Sequence, residues 1–257
     1  MYKPYQWIVT IFWLCVLGIR QIDIRSFECQ FPDEVEGAGF FCADDSAFPL
    51  AHEKLFVDDL AQPFHALRAI QNIDEDWWLI HPANSRYVVI DIGIHRTGHQ
   101  VECDEKSILD YLVDRQPAWF VLMHPHPSGT ARNPSATDLF SHWRMEQALI
   151  QRQVFMPFAS VVVFDEGYFV FKPSENLIAS FIRIRDDTRR YLQIDKLNIE
   201  WYQFQVEWDF QTTNYGLSTD NPDFAGYADA VHDKADLVFA ATSAEVVASV
   251  YELLSVG

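Results

Sequence analysis

The sequence predicts an α/β fold: a mixed β-sheet flanked by helices, with extensions at both ends. Three observations predict it. Short β-branched and aromatic runs alternate along the chain with longer segments of helical spacing. Hydrophobic residues make up 49% of the 257 and aromatics 15%, enough for a sizeable core. The central order is helix, strand, strand, helix, strand, helix, hairpin, which a helix-covered sheet satisfies.

Residues 1–50 read as strand and loop, with an acidic, turn-rich patch at FPDEVEGAG. Trp7–Ile19 (WIVTIFWLCVLGI) is 13 residues of nearly unbroken apolarity between Lys3 and Arg20. A membrane-spanning helix needs about 20 such residues. A signal peptide suits the length, but no small-x-small cleavage site follows. The β-branched and aromatic content favours a buried strand. A signal or anchor segment and a buried helix are the alternatives.

DDLAQPFHALRAIQNI, 58–73, predicts a helix with Leu60, Phe64, Leu67 and Ile70 on one face and acids at its start. DEDWWLIHP begins a short strand in which Trp77 and Trp78 read as sheet packing, one of them a candidate groove wall. SRYVVIDIGIHRTGH predicts a second strand; His81, His95 and His99 flank these strands and read as surface or supporting residues. DEKSILDYLVDRQP is an amphipathic helix with acids in its first turn and a Pro stop. AWFVLMHPHP is a buried strand, SATDLFSHWRMEQALIQRQ a helix capped by Ser135 or Thr137, and ASVVVFDEGYFVFKP a hairpin. Beyond about residue 176 the character changes. Residues 186–257 carry 13 Asp/Glu against four Lys/Arg. IEWYQFQVEWDFQT alternates at period two and predicts a strand, and DLVFAATSAEVVASVYELL joins a short apolar run to a helical pattern. The chain thus divides into an N-terminal extension (1–54), a core (55–175) and an acidic C-terminal extension (176–257).

The net charge of −18 repels phosphate backbones and speaks against a nucleic-acid partner. Cys15, Cys29, Cys42 and Cys103 are scattered, with no CxxC pair. They read as reduced thiols in a cytoplasmic protein, a Cys29–Cys42 bridge being the alternative if the chain is exported.

The chemistry concentrates in HPHPSGTARNPSATD, 124–138. Two histidines at i and i+2 of an extended segment aim at one spot, while Pro125 points away and stiffens the backbone. Asp138, in the first turn of the following helix, is placed to add a carboxylate. Three ligands of N, N and O type leave a fourth tetrahedral position for water, the arrangement of a catalytic zinc.

This stretch resembles the metal-binding signature of the JAMM (MPN+) metalloproteases: His-x-His-Pro, a short loop, then Ser-x-x-Asp. Its wording is closest to the RadC-like and prokaryotic JAB branches. The resemblance covers about residues 55–175. It implies a JAMM/MPN fold with cytidine-deaminase-like layering, zinc ligands His124, His126 and Asp138, and Ser135 as an oxyanion donor. It also implies an upstream Glu as general base. Glu75, 49 residues before His124, stands where the family has that base, with Glu53, Glu102 and Glu105 as rivals. Two departures stand out: Pro125 replaces the more usual Ser, Thr or Asn, and the eight-residue loop between His126 and Ser135 is one longer than usual.

The implied reaction is amide hydrolysis by zinc-activated water, with Glu75 moving the proton. The implied substrate is a peptide or isopeptide bond after the C-terminus of a ubiquitin-like protein, with activating-enzyme homologues as further partners. The alternative is a RadC-like or scaffolding protein whose metal site is structural or idle and whose work is binding.

Overall fold

Strands that are apolar on both faces need cover on both faces, and the described helices pack on both sides of this sheet. The computed structural model describes residues 41–42, 54–70, 77–97, 100–103, 105–126, 132–182 and 194–255. The strands of the main sheet are β1 (Phe41–Cys42), β2 (Lys54–Val57), β3 (Trp78–Ala83), β4 (Arg86–Asp91), β7 (Phe120–Pro125), β8 (Phe158–Phe164), β9 (Gly167–Pro173) and β10 (Ala235–Ala240). They lie in the order β1-β2-β4-β3-β7-β8-β9-β10. β7 and β8 run parallel, and the other neighbours are antiparallel. β5 (Gly93–Thr97) and β6 (Gln100–Cys103) form a separate two-stranded ribbon. The run SRYVVIDIGIHRTGH is therefore two strands, not one. Ile92 separates them, and its amide bonds Trp77 O at 2.8 Å.

The helices are α1 (Ala61–Ile70), α2 (Glu105–Arg115), α3 (Ala136–Gln151), α4 (Ile194–Asn214), α5 (Phe224–Val231) and α6 (Ser243–Ser255), with a further helical stretch over 175–182. Asp59 starts α1, its carboxylate accepting from the Ala61 amide at 2.9 Å. The β3–β4 turn is two residues long, and Asn84 takes φ 56°, a conformation that suits such a hairpin.

Strand parity sorts the core. Ile80, Val89, Val121, Met123, Val161 and Val163 pack with Phe64 of α1 and with Val246, Val250 and Leu253 of α6. Leu79, Val88, Ile90, Phe120 and Leu122 face the other way, against Ile108 and Leu112 of α2 and Met145 and Leu149 of α3. On that second face Leu139 and Trp143 of α3 also join Val162, Phe169, Phe181, Trp208, Leu217 and Tyr227. His81 is buried rather than at the surface: its ring nitrogens pair with Tyr111 OH at 2.7 Å and Pro82 O at 2.9 Å.

The acidic C-terminal region behaves differently from its composition. β10 pairs in register with β9 from Ala235 opposite Pro173 to Ala240 opposite Tyr168, so it completes the sheet that begins before residue 60. The period-two run IEWYQFQVEWDFQT is not a strand but part of α4. Every second position of a period-two pattern is also an i, i+4 series, and the helix uses that subset. Phe204, Trp208 and Thr212 face the core, while Val206 and Phe210 are left 46% and 61% exposed. Trp7–Ile19, Cys15 and Cys29 lie outside the described residues, as does most of the 1–54 region. Among the described residues no helix is long and apolar enough to cross a membrane.

Candidate metal centre

The parallel pair sets the geometry. β7 leads into α3 and α3 returns to β8, so the C-terminal end of β7 and the N-terminus of α3 share one edge of the sheet. Even-numbered residues of β7 face α2 and α3. His124 and His126 share that parity and turn towards the start of α3. His126 N continues the ladder to Val163 O at 2.7 Å. Pairing between β3 and β7 ends at Met123, so the missing N–H of Pro125 falls on the side where no ladder bond is needed.

At the head of α3, Ser135 is the N-cap and Asp138 the N3 residue of a capping box. The Asp138 amide donates to Ser135 Oγ at 3.1 Å, and the Ser135 amide donates to Asp138 Oδ2 at 2.6 Å. That second bond fixes the carboxylate against the histidines. His124 Nε2 lies 3.3 Å from Asp138 Oδ1, His126 Nε2 lies 3.6 Å from Asp138 Oδ2, and the two Nε2 atoms are 3.2 Å apart. Among the described residues this is the group of His, Cys, Asp or Glu side chains whose ligand atoms converge for a metal.

The donor set fits a divalent ion. Ligands about 2.0–2.1 Å from a tetrahedral zinc stand roughly 3.3 Å from one another, close to the separations seen. A bound cation would accept one lone pair from each of the two imidazole nitrogens and one from the carboxylate. Burial pushes the His124 imidazole below its ordinary value; Asp138 opposes that shift and His126 adds to it. Burial would push the Asp138 carboxyl up, but the charges of and hydrogen bonds from His124 and His126 outweigh it and hold it well below the carboxylate range. The lowered His124 and the low Asp138 carboxyl lean towards the neutral imidazole and ionised carboxylate that metal binding requires.

Of the pair Trp77 and Trp78, one of which the sequence offered as a groove wall, Trp77 is the one beside the site. It precedes β3, opposite His124, and its ring stacks on the His124 ring at 4.4 Å and 17°. Its neighbour Trp78 is buried on the opposite face, against α1 and α6. A cross-strand register produces this contact, and only knowledge of the β3–β7 pairing could have found it.

Ser135 is exposed at the mouth of the site. Its oxygen accepts the cap bond, which leaves the hydroxyl hydrogen to donate elsewhere, so cap and oxyanion donor are compatible roles. Glu75 and Glu53 lie outside the described residues, as do His99 and the loop 127–131. Glu102 falls in β6, where its backbone pairs with His95, and Glu105 begins α2.

No family model matches the chain, and no curated protein matches it in sequence.

Proposed function

We propose that the chain is a zinc-dependent peptidase or isopeptidase of the JAMM type. One observation carries the reading: His124, His126 and Asp138 converge at the mouth of a parallel β–α–β unit, with spacings that suit a tetrahedral ion. The order of elements around the motif and its wording support the same reading. Bound zinc would supply a Lewis acid and a water of pKa near 7. The chain's own residues do the rest. His124, His126 and Asp138 hold the ion, and the Ser135 amide keeps the Asp138 carboxylate turned to it. The Ser135 hydroxyl donates to the carbonyl oxygen of the scissile amide as negative charge builds there. Glu75 takes the proton from the attacking water and returns it to the leaving amine. In an isopeptide that amine is a lysine side chain, joined to the C-terminus of a ubiquitin-like protein.

The test is cleavage of a ubiquitin-like fusion by the full chain. Turnover should stop on chelation, resume with zinc, and fall at least 100-fold in Glu75→Gln, as general acid–base catalysis contributes about 10²–10⁴-fold. Cleavage that survives both treatments overturns the proposal.

A further inference from the structure

The segment 194–231 makes no ligand for the site, yet its polar contacts concentrate on the turn that leads into α3. Trp208 Nε1 donates to Pro134 O at 2.7 Å. Asn133 Nδ2 is within donating distance of Thr212 Oγ1 at 2.9 Å, Tyr227 OH at 2.8 Å and Pro134 O at 2.9 Å. Thr212 Oγ1 in turn donates to Trp208 O at 3.1 Å. These bonds close a circuit: Asn133 to Thr212, Thr212 to Trp208, Trp208 to Pro134. Asn133, Trp208 and Thr212 are all buried. Arg132 secures the turn from its other side. It grips Glu166 with two bonds of 2.6 and 2.7 Å and donates to Leu217 O and Thr219 O at 3.0 and 2.7 Å. Gly216, at φ 64°, lets the chain turn sharply enough to present those two carbonyls.

One peptide plane carries the consequence. The carbonyl that Trp208 holds belongs to Pro134, and the amide of the same planar unit belongs to Ser135. That amide donates to Asp138 Oδ2 at 2.6 Å. The indole N–H, with Asn133 Nδ2 on the same oxygen at 2.9 Å, therefore helps fix the orientation of the N–H that orients the ligand carboxylate. A donor on the carbonyl also polarises the amide and strengthens the bond it gives.

We propose that Trp208 is a positioning residue of the metal centre, acting on Asp138 through the Pro134–Ser135 peptide, with Asn133 and Thr212 completing the brace. The proposal rests on the metal-centre reading and assigns the acidic C-terminal segment a role in it. Outer-shell partners of ligands are worth about 10–100-fold in metal affinity. Trp208 acts one bond further out, so the lower end applies.

The experiment titrates the metal-free full chain with Co2+ and follows the visible absorption of the bound ion, alongside thermal unfolding without metal. Trp208→Phe keeps an aromatic ring and deletes the donor. It should bind Co2+ about tenfold more weakly with a shifted spectrum. Thr212→Val breaks the circuit one bond earlier and should weaken binding by a smaller factor; it also serves if Trp208→Phe does not fold. Phe204→Leu, on the same helix face but outside the circuit, should lower the unfolding temperature and leave Co2+ affinity unchanged. Wild-type affinity in Trp208→Phe and Thr212→Val overturns the proposal, as does an equal loss in Phe204→Leu. A wild-type chain that takes up no Co2+ overturns the metal-centre reading, and this proposal with it.

Discussion

His124 and His142 are both buried on the α2–α3 side of the sheet, and both are pushed towards the neutral form by burial. Their surroundings differ. His142 stacks on Phe158 at 3.9 Å and pairs Nδ1 with Ser160 Oγ at 2.9 Å. Lys172 further disfavours its charge, and its pKa falls to about 3. His124 also has an aromatic face, from Trp77, but its Nε2 meets a second imidazole and a carboxylate. Among the described residues His124 Nδ1 has no hydrogen-bond partner, so Asp138 and His126 dominate its polar surroundings. Burial alone makes a core histidine. Convergence with a carboxylate and a second imidazole makes a candidate ligand.

The widest separation between the two should come from deletion. His126→Ala or Asp138→Asn should lower zinc affinity by more than about 100-fold, beyond the outer-shell range. His142→Leu should leave zinc affinity unchanged. Metal content after dialysis, followed by titration, reads both. Loss of binding in His142→Leu would erase the distinction.

Acid separates them in the opposite direction. The unfolded chain binds a proton at a histidine near pH 6.5, while folded His142 resists until about pH 3. Between those values only the unfolded state takes up that proton. His142 therefore contributes fully above about pH 6.5, and stability falls as pH drops towards 3, by up to about 1.4 kcal/mol per unit. His142→Leu should flatten this acid limb in urea unfolding of the metal-free protein. An unchanged slope would place the acid sensitivity elsewhere.

Two smaller changes sharpen the picture at His124. Trp77→Leu removes the ring that fixes its imidazole. Aromatic pairs are worth about 0.5–1.5 kcal/mol, so zinc affinity should fall by roughly two- to tenfold. Ser135→Ala should cost about 1 kcal/mol of stability through the lost cap, and Ser135→Gly only a few tenths. If Ser135 is also an oxyanion donor, both variants lose turnover alike despite their different stabilities. Turnover that tracked stability instead would make Ser135 a cap alone.

Much of this was legible in the chain. The His-x-His spacing, Asp138 in the first turn and the Ser135 cap come from local rules of strand and helix direction, which hold whatever the rest does. The helices at 61–70, 105–115 and 136–151 and the hairpin at 158–173 follow from periodicity for the same reason. Other features were hidden because they depend on partners far along the sequence. Trp77 reaches His124 only through the β3–β7 register. Trp208 reaches Pro134 across 74 residues.

The clearest division is at 199–212. Its alternating aromatics satisfy a strand and, at every second position, a helix. Sequence alone determined that one side of this segment would be buried, because its aromatic positions repeat. Only tertiary structure decided which geometry buried it. The turn at Asn133–Pro134 offered Trp208 and Thr212 hydrogen-bond partners and the cluster around Phe181 and Tyr227 offered an apolar seat, and i, i+4 spacing meets both at once. Local pattern fixes what a segment can be, and long-range packing chooses among the options, because burial free energy depends on neighbours that no short window contains.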